Sequence, residues 1–291
     1  MSEPYSPLRY PGGKAKLANF LIAVMRMNRI RPTQYVEPYA GGAGAALRLL
    51  FEEYVDRIWV NDADPRILCF WRALTEENEE FVERLKTVEV TVAEWHKQRR
   101  VYDACNVNRP CTLGFATFYL NRTSRSGIIH NGGPIGGYDQ KGNYLIDARF
   151  NRDQLVRRVQ RIGIYADRIT VSGIDGLALL KKMNRSPAKA QSQFVYLDPP
   201  YHAKGPELYM DRFTTKQHEQ LAMYLSLPRA FNWIMTYDDV DAIRQLYRTF
   251  PKFRFSLEYS VCGRRKGHEL LIHPKAVTVP PKVKTALPYV A

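Results

Sequence analysis

The chain has 291 residues, 45% of them hydrophobic and 25% charged, which suits a globular protein of one large domain or one domain plus an insert. Forty-three Lys and Arg against 29 Asp and Glu leave a net charge of +14, and an excess of that size points to a polyanionic partner, most simply nucleic acid. Cys69, Cys105, Cys111 and Cys262 form no C-x-x-C pair, so neither a zinc site nor a disulfide framework is expected. The start "MSEPYSPLRYPGG" lacks the basic-then-apolar design of a signal peptide, and the apolar run "FLIAVM" is far short of the roughly 20 residues that span a bilayer. The expectation is a soluble cytoplasmic protein without a membrane segment or a metal.

In chain order, "KAKLANFLIAVMRMN" has helical spacing, "QYVEP" reads as a short strand and "GAGAALRLLFEEY" as a helix with an alanine-rich face. "RIWVND" is a second strand, followed by one helical run, "PRILCFWRALTEENEEFVERL". After a different middle, "RITVSG", "QFVYLD", "FNWIMTY", "RFSLEYS" and "HELLIHP" read as strands, with helical patterns "DGLALLKKM", "TKQHEQLAMYLSL" and "DVDAIRQLY" between several of them. Strands alternating with helices of this length predict an α/β domain with a mostly parallel sheet. The last two strands have no helix between them, which predicts a hairpin and an antiparallel edge.

The middle, residues 76–164, breaks the alternation. From Lys97 to His130 it carries Lys97, Arg99, Arg100, Arg109, Arg122 and Arg125 against Asp103 alone, with Tyr102, Phe115, Phe118 and Tyr119 interleaved. "NGGPIGGYDQKGN" follows and is too Gly-rich for regular structure. This is the pattern of an insert that presents a basic surface from an α/β body formed by residues 1–75 and 165–291.

Four features fall at or near strand ends, where open α/β sheets bind ligands. "VEPYAGGAGAAL" joins strand to helix through Gly41, Gly42 and Gly44, glycines that admit close backbone approach to a ligand. No Gly-Lys-Ser/Thr follows, so it is not a P-loop, and a tight turn alone would also explain it. Asp62 ends "IWVND" 21 residues after Gly41, near the spacing at which a carboxylate takes a cofactor ribose. Asp64 is the alternative, or a helix N-cap before Pro65. "RYPGGK" ends a Gly-Gly turn in Lys14; by itself this is a loop with a solvated lysine. The fourth is "FVYLDPPY", an apolar strand running into Asp198, Pro199, Pro200 and Tyr201. Two prolines fix two backbone angles and remove two donors, which concentrates acceptors beneath one aromatic face. A planar heterocycle with an exocyclic amine fits that arrangement.

Taken together and in order, "LRYPGGK", "YVEPYAGGAGAAL", "VNDAD" and "YLDPPY" resemble the Dam-like N6-adenine DNA methyltransferases that use S-adenosylmethionine. "FYLNR", "WIMTYDD" and "GHELLI" extend the resemblance over nearly the whole chain. It implies a class I methyltransferase fold, a Rossmann-like seven-stranded sheet with one antiparallel strand, carrying a mainly helical target-recognition insert. It also implies that Tyr10 and Lys14 line the cofactor pocket, that Gly41 to Gly44 lie under the methionine moiety and that Asp62 takes the ribose hydroxyls. Asp198 would stand where cofactor and target base meet, with Pro199 supplying a carbonyl and Tyr201 a stacking face. The leading Asp of the motif favours adenine; N4-cytosine relatives more often carry Ser there, and glutamine methyltransferases Asn. The implied substrate is duplex DNA with its target adenine flipped out, read by a monomer with Asn121, Arg122 and Arg125 among its DNA contacts, and a cognate restriction enzyme would be a natural partner. After Arg122 the sequence "TSRSGIIHN" departs from the aromatic residue and Asn of GATC-reading members, so no recognition sequence is implied. An RNA adenine methyltransferase, and a binding module with a vestigial cofactor pocket, are the competing readings.

Overall fold

The computed structural model describes residues 5–9, 17–130, 132–202, 213–259 and 265–280; Tyr10, Lys14 and Cys262 lie outside them. Every run expected as a strand is one. β1 (Gln34–Glu37), β2 (Arg57–Asn61), β3 (Ile169–Ser172), β4 (Gln193–Leu197), β5 (Asn232–Asp238), β6 (Lys252–Tyr259) and β7 (Arg265–Ile272) form a sheet of order β3-β2-β1-β4-β5-β7-β6. β1 pairs in parallel with β2 and β4, and β4 with β5, whereas β7 runs antiparallel to both β5 and β6. Among β1, β2, β4, β5, β6 and β7 the reversed strand is therefore β7, partner of β6 in the expected hairpin. β4 is buried along its whole length, which is why "QFVYL" reads as a nearly unbroken apolar run rather than an alternating one.

Among the described residues the helices are α1 (Ala18–Met27), α2 (Gly44–Phe51), α3 (Pro65–Glu76), α4 (Asn78–Thr87), α5 (Val92–Ala104), α6 (Pro110–Thr123), α7 (Arg152–Ile164), α8 (Gly176–Asn184), α9 (Pro187–Gln191), α10 (Thr215–Ser226) and α11 (Asp241–Leu246). None is long and apolar enough to cross a membrane. The single helical run expected after β2 is two helices. Glu77, at φ −130° and ψ 36°, breaks it, and the Asn78 amide takes the Leu74 carbonyl at 2.8 Å. The acidic string "TEENEEF" hides this break because helical spacing continues on both sides. The short α9 gave no periodic signal.

The chain divides into two compact units, Met1–Pro11 with Asp62–Gly173, and Gly12–Asn61 with Ile174–Ala291. In the second, Val195, Leu197, Trp233, Met235 and Ile272 from the sheet join Leu180, Leu221 and Ile243 from helices in one apolar cluster. In the first, Phe70 of α3, Phe81 of α4 and Phe115 and Phe118 of α6 pack at ring separations of 5.2 to 6.4 Å.

α6 reaches α3 through Gly114. A Cβ there would lie 2.6 Å from the Cys69 carbonyl oxygen and 2.7 Å from the Phe70 Cα, distances that backbone cannot yield without moving a helix. Gly114→Ala is expected to lower stability by about 1–3 kcal/mol despite the better helix propensity of Ala. A thermal melt checks this, and an unchanged or raised midpoint would contradict the close approach.

The Gly-rich stretch is irregular, as expected. Beyond an isolated bridge between Ser124 and Pro134, residues 132–150 form no helix or strand. Gln140 folds the loop by donating to the carbonyls of Ile135 (2.8 Å) and Gly137 (2.6 Å) and accepting from the Ile146 N–H (2.9 Å).

Candidate active site

β1 and β4 are neighbours at the centre of the sheet, and the chain proceeds from β1 toward β2 on one side and from β4 to β5 on the other. Between them lies a topological switch point, and in open parallel sheets ligands bind outside the carboxyl ends of the strands there. The loop after β1 carries the glycine cluster and the loop after β4 carries Asp198.

The first loop turns sharply. Gly41 has φ +46° and Ala43 φ +44°, so the left-handed positions are the first glycine and the alanine, while Gly44 already begins α2. Ala43 has no side chain with which to cap α2. Glu37, the last residue of β1, supplies a carboxyl oxygen instead: its Oε1 accepts from the Ala46 N–H at 3.0 Å and from the Tyr35 hydroxyl at 3.0 Å. Asn61, fully buried at the end of β2, donates to the carbonyls of Pro38 (2.9 Å) and Ile174 (2.8 Å) and accepts from the Ile174 N–H (3.1 Å). Its own carbonyl accepts from the Ala40 N–H at 2.9 Å. Asn61 thus pins the start of the glycine loop. An Asn amid "RIWVN" is a poor strand former, the one signal in the sequence that it is spent on backbone.

Burial raises the Glu37 carboxyl to about 8; the Tyr35 hydroxyl and the Ala46 N–H pull it down, and the Asp198 charge pushes it up. Between its ordinary value of 4.5 and about 8 the unfolded chain ionises this carboxyl and the folded chain keeps its proton. Stability carried by this group is therefore lost as pH rises through that window, by up to about 1.4 kcal/mol per pH unit. Glu37→Gln keeps an acceptor without the titration. Its melting midpoint relative to the unsubstituted protein is expected to rise between pH 5 and pH 8, and a difference independent of pH would contradict the assignment.

Beyond β4, Asp198 is half-buried and accepts from the Thr236 hydroxyl at 2.9 Å. A carboxylate only accepts, so Thr236 spends its proton on Asp198, and the buried Tyr196 hydroxyl, 2.6 Å away, donates to Thr236. This chain of two hydroxyls fixes the carboxylate. Pro199 is buried, and the Tyr201 hydroxyl donates to Glu269 of β7, which is 1% exposed. The His202 N–H donates to Asp238 at 3.1 Å. His218 of α10 is hydrogen-bonded to the Tyr237 hydroxyl, and burial followed by the neighbouring His202 charge pushes its imidazole down to about 4. It is neutral at pH 7. Thr236, Glu269, His218 and Asp238 escaped the sequence reading, although buried polar residues inside "FNWIMTYDD" and "GHELLI" mark two of the strands that carry them.

Asp62 and Asp64 have distinct surroundings. Asp64 caps α3 by accepting from the Arg66 N–H at 2.8 Å, with Pro65 in the first turn. Asp62 is half-buried; its N–H donates to the Ser172 carbonyl and its Oδ1 accepts from the Asp64 N–H at 3.0 Å.

On α6, Asn121 is 2% exposed. Its amide accepts from the Arg9 N–H (2.6 Å) and donates to the carbonyls of Arg9 (2.9 Å) and Gly127 (3.1 Å). Arg122 is half-buried and donates to the Arg149 carbonyl. Arg125 alone of the three is exposed; its N–H donates to the Gly133 carbonyl, which ties the turn at 124–128 to the Gly-rich loop. Cys69, Cys105 and Cys111 are free thiols.

No curated protein sequence gives a significant match. A family model does, from residue 10 to residue 259, a stretch that takes in the glycine loop, the whole basic middle and the Asp-Pro-Pro-Tyr turn. The chain accordingly belongs to the D12 class N6 adenine-specific DNA methyltransferases and is an enzyme that methylates adenine in DNA.

Proposed function

We propose that the methyl donor is S-adenosylmethionine and that the acceptor is N6 of an adenine flipped out of duplex DNA. The observation that carries this reading is the Asp198 carboxylate, held by Thr236 at the carboxyl end of a central strand and followed at once by the Pro199 carbonyl and the Tyr201 ring. These are two acceptors and a flat apolar face, the complement of an aromatic amine. The amine of adenine is a poor nucleophile because its lone pair is spread into the ring. Asp198 and the Pro199 carbonyl each accept one N6 proton, which localises that pair and aims it at an electrophile. One amine proton is released after transfer.

S-adenosylmethionine, when bound, supplies a methyl group activated on a sulfonium sulfur. The residues present suit it. The Tyr39 hydroxyl is buried without a hydrogen-bond partner among the described residues, two residues before Gly41, and the left-handed turn at Gly41 and Ala43 turns the backbone sharply between β1 and α2. Tyr10, Lys14, Gly41, Gly42, Gly44, Asp62 and Asp198 are assigned to the cofactor, with Asp62 accepting from the ribose hydroxyls.

Extruding a base costs a few kcal/mol of stacking and pairing, and a Tyr201 platform returns roughly 1–3 kcal/mol. Contacts to phosphates and groove edges from residues 76–164 supply the balance. Arg125 is the exposed candidate for such a contact, Arg122 a half-buried one, and Asn121 orders the turn between them. We place the protein in the cytoplasm as a monomer, with a restriction enzyme of the same recognition sequence as a candidate partner.

Calorimetry with S-adenosylmethionine tests the donor. Binding is expected for the unsubstituted protein, weakened about tenfold or more in Asp62→Ala by loss of a charge-assisted hydrogen bond. No heat of binding with the unsubstituted protein would remove the donor from this reading.

A further inference from the structure

Arg9 and Arg122 are brought together by Asn121, which grips the backbone of Arg9 and precedes Arg122 in α6. Arg122 Nη2 donates to the Arg149 carbonyl, and its Nε is buried with no acceptor among the described residues. Arg9 Nη1 reaches no better than 3.5 Å from the Ser124 carbonyl. Among the described residues, none of Arg9, Arg122 and Arg149 forms an ion pair with a carboxylate. This contrasts with Arg48, Arg72, Arg84 and Arg99, each held by an acid four residues away.

The cost of this arrangement is visible in the arginines themselves. Burial first, then the positive charges of Arg9, Arg158 and Arg149, push the Arg122 guanidinium down to about 9. Burial and Arg149 lower Arg9 as well. Like charges gathered around a buried N–H are unfavourable unless an anion joins them. A tetrahedral oxyanion answers each deficit: it accepts from a buried Nε, bridges several planar donors and offsets their repulsion. Arg149 is exposed, so the cluster is open to solvent on one side.

We propose that Arg9, Arg122 and Arg149, with Arg158 beside them, form a seat for one phosphate group. The phosphate is either a backbone phosphodiester of the DNA substrate or a free phosphate ion; the first source rests on the reading of this unit as the DNA-binding part of the enzyme, the second does not.

The test uses the full chain, Arg149→Gln and Arg9→Gln. Both variants remove a guanidinium and leave in place the backbone groups that Arg122 and Asn121 hold. Thermal melts are compared in sodium phosphate and in sodium chloride of equal ionic strength, and duplex DNA binding is measured by anisotropy at several salt concentrations. Phosphate is expected to raise the midpoint of the unsubstituted protein and to lose that effect in both variants. If the DNA backbone is the source, each variant also lowers the slope of log affinity against log salt by about one; an unchanged slope with a lost phosphate effect assigns the seat to free phosphate. No phosphate effect on the unsubstituted protein together with unchanged slopes in both variants would overturn the proposal. Methylation of DNA by the unsubstituted protein is scored separately, so failure of the seat and failure of the methyl-transfer reading are told apart.

Discussion

Asp198→Ala is expected to lower the rate of methyl transfer by about 10² to 10⁴-fold, the range lost when a group that manages a proton at the reacting atom is removed. The fold should survive. Asp198 is only half-buried, and once its carboxylate is gone the Thr236 hydroxyl still has Tyr196 beside it. Asp198→Asn separates charge from position. Its amide oxygen can still accept from Thr236, but its nitrogen presents hydrogens, so one proton of the adenine amine loses its acceptor. Both variants should therefore melt near the unsubstituted protein while failing in single-turnover assays. Transfer at an undiminished rate in either would remove Asp198 from the chemistry.

The second large effect belongs to Tyr201, where ring and hydroxyl separate. Tyr201→Ala removes the stacking face, and about 1–3 kcal/mol of base stacking corresponds to roughly 5- to 150-fold in transfer efficiency. Tyr201→Phe keeps the face and deletes the hydrogen bond to Glu269, leaving a carboxylate that is 1% exposed short of one donor. Its cost should fall mainly on stability, about 1–3 kcal/mol, with a smaller loss of transfer. Equal losses of transfer in the two variants would mean that the hydroxyl, rather than the ring, is what the reaction uses.

Much of the architecture was legible because it is written in local periods. "QYVEP", "RIWVND" and "QFVYL" carry the apolar runs of buried parallel strands, and "RFSLEYS" followed by "HELLIHP" without an intervening helix forecast the hairpin that reverses β7. Asp198 and the glycine loop could be singled out as candidates for the same reason, since each stands in an unusual local context at the end of a strand. Their supports could not. Thr236 is 38 residues from the Asp198 it braces, and Glu269 is 68 from the Tyr201 it anchors; such pairs exist only once β4, β5 and β7 lie side by side. The α3–α4 break was missed because Glu77 interrupts a run whose spacing stays helical on either side. Asn121, assigned to the DNA through the resemblance, has its amide engaged with the backbone of Arg9 and Gly127, a long-range pairing that the sequence does not reveal.

The central claim is that this chain moves a methyl group from S-adenosylmethionine to N6 of adenine in duplex DNA through Asp198. The direct measurement incubates unmethylated duplex DNA with purified protein and S-adenosylmethionine, digests the product to nucleosides and quantifies N6-methyladenine by mass spectrometry. N6-methyladenine that requires the donor and forms about 10² to 10⁴-fold more slowly in Asp198→Ala is the predicted result. Its absence with the unsubstituted protein, or its formation at an undiminished rate in the Asp198→Ala variant, would contradict the account.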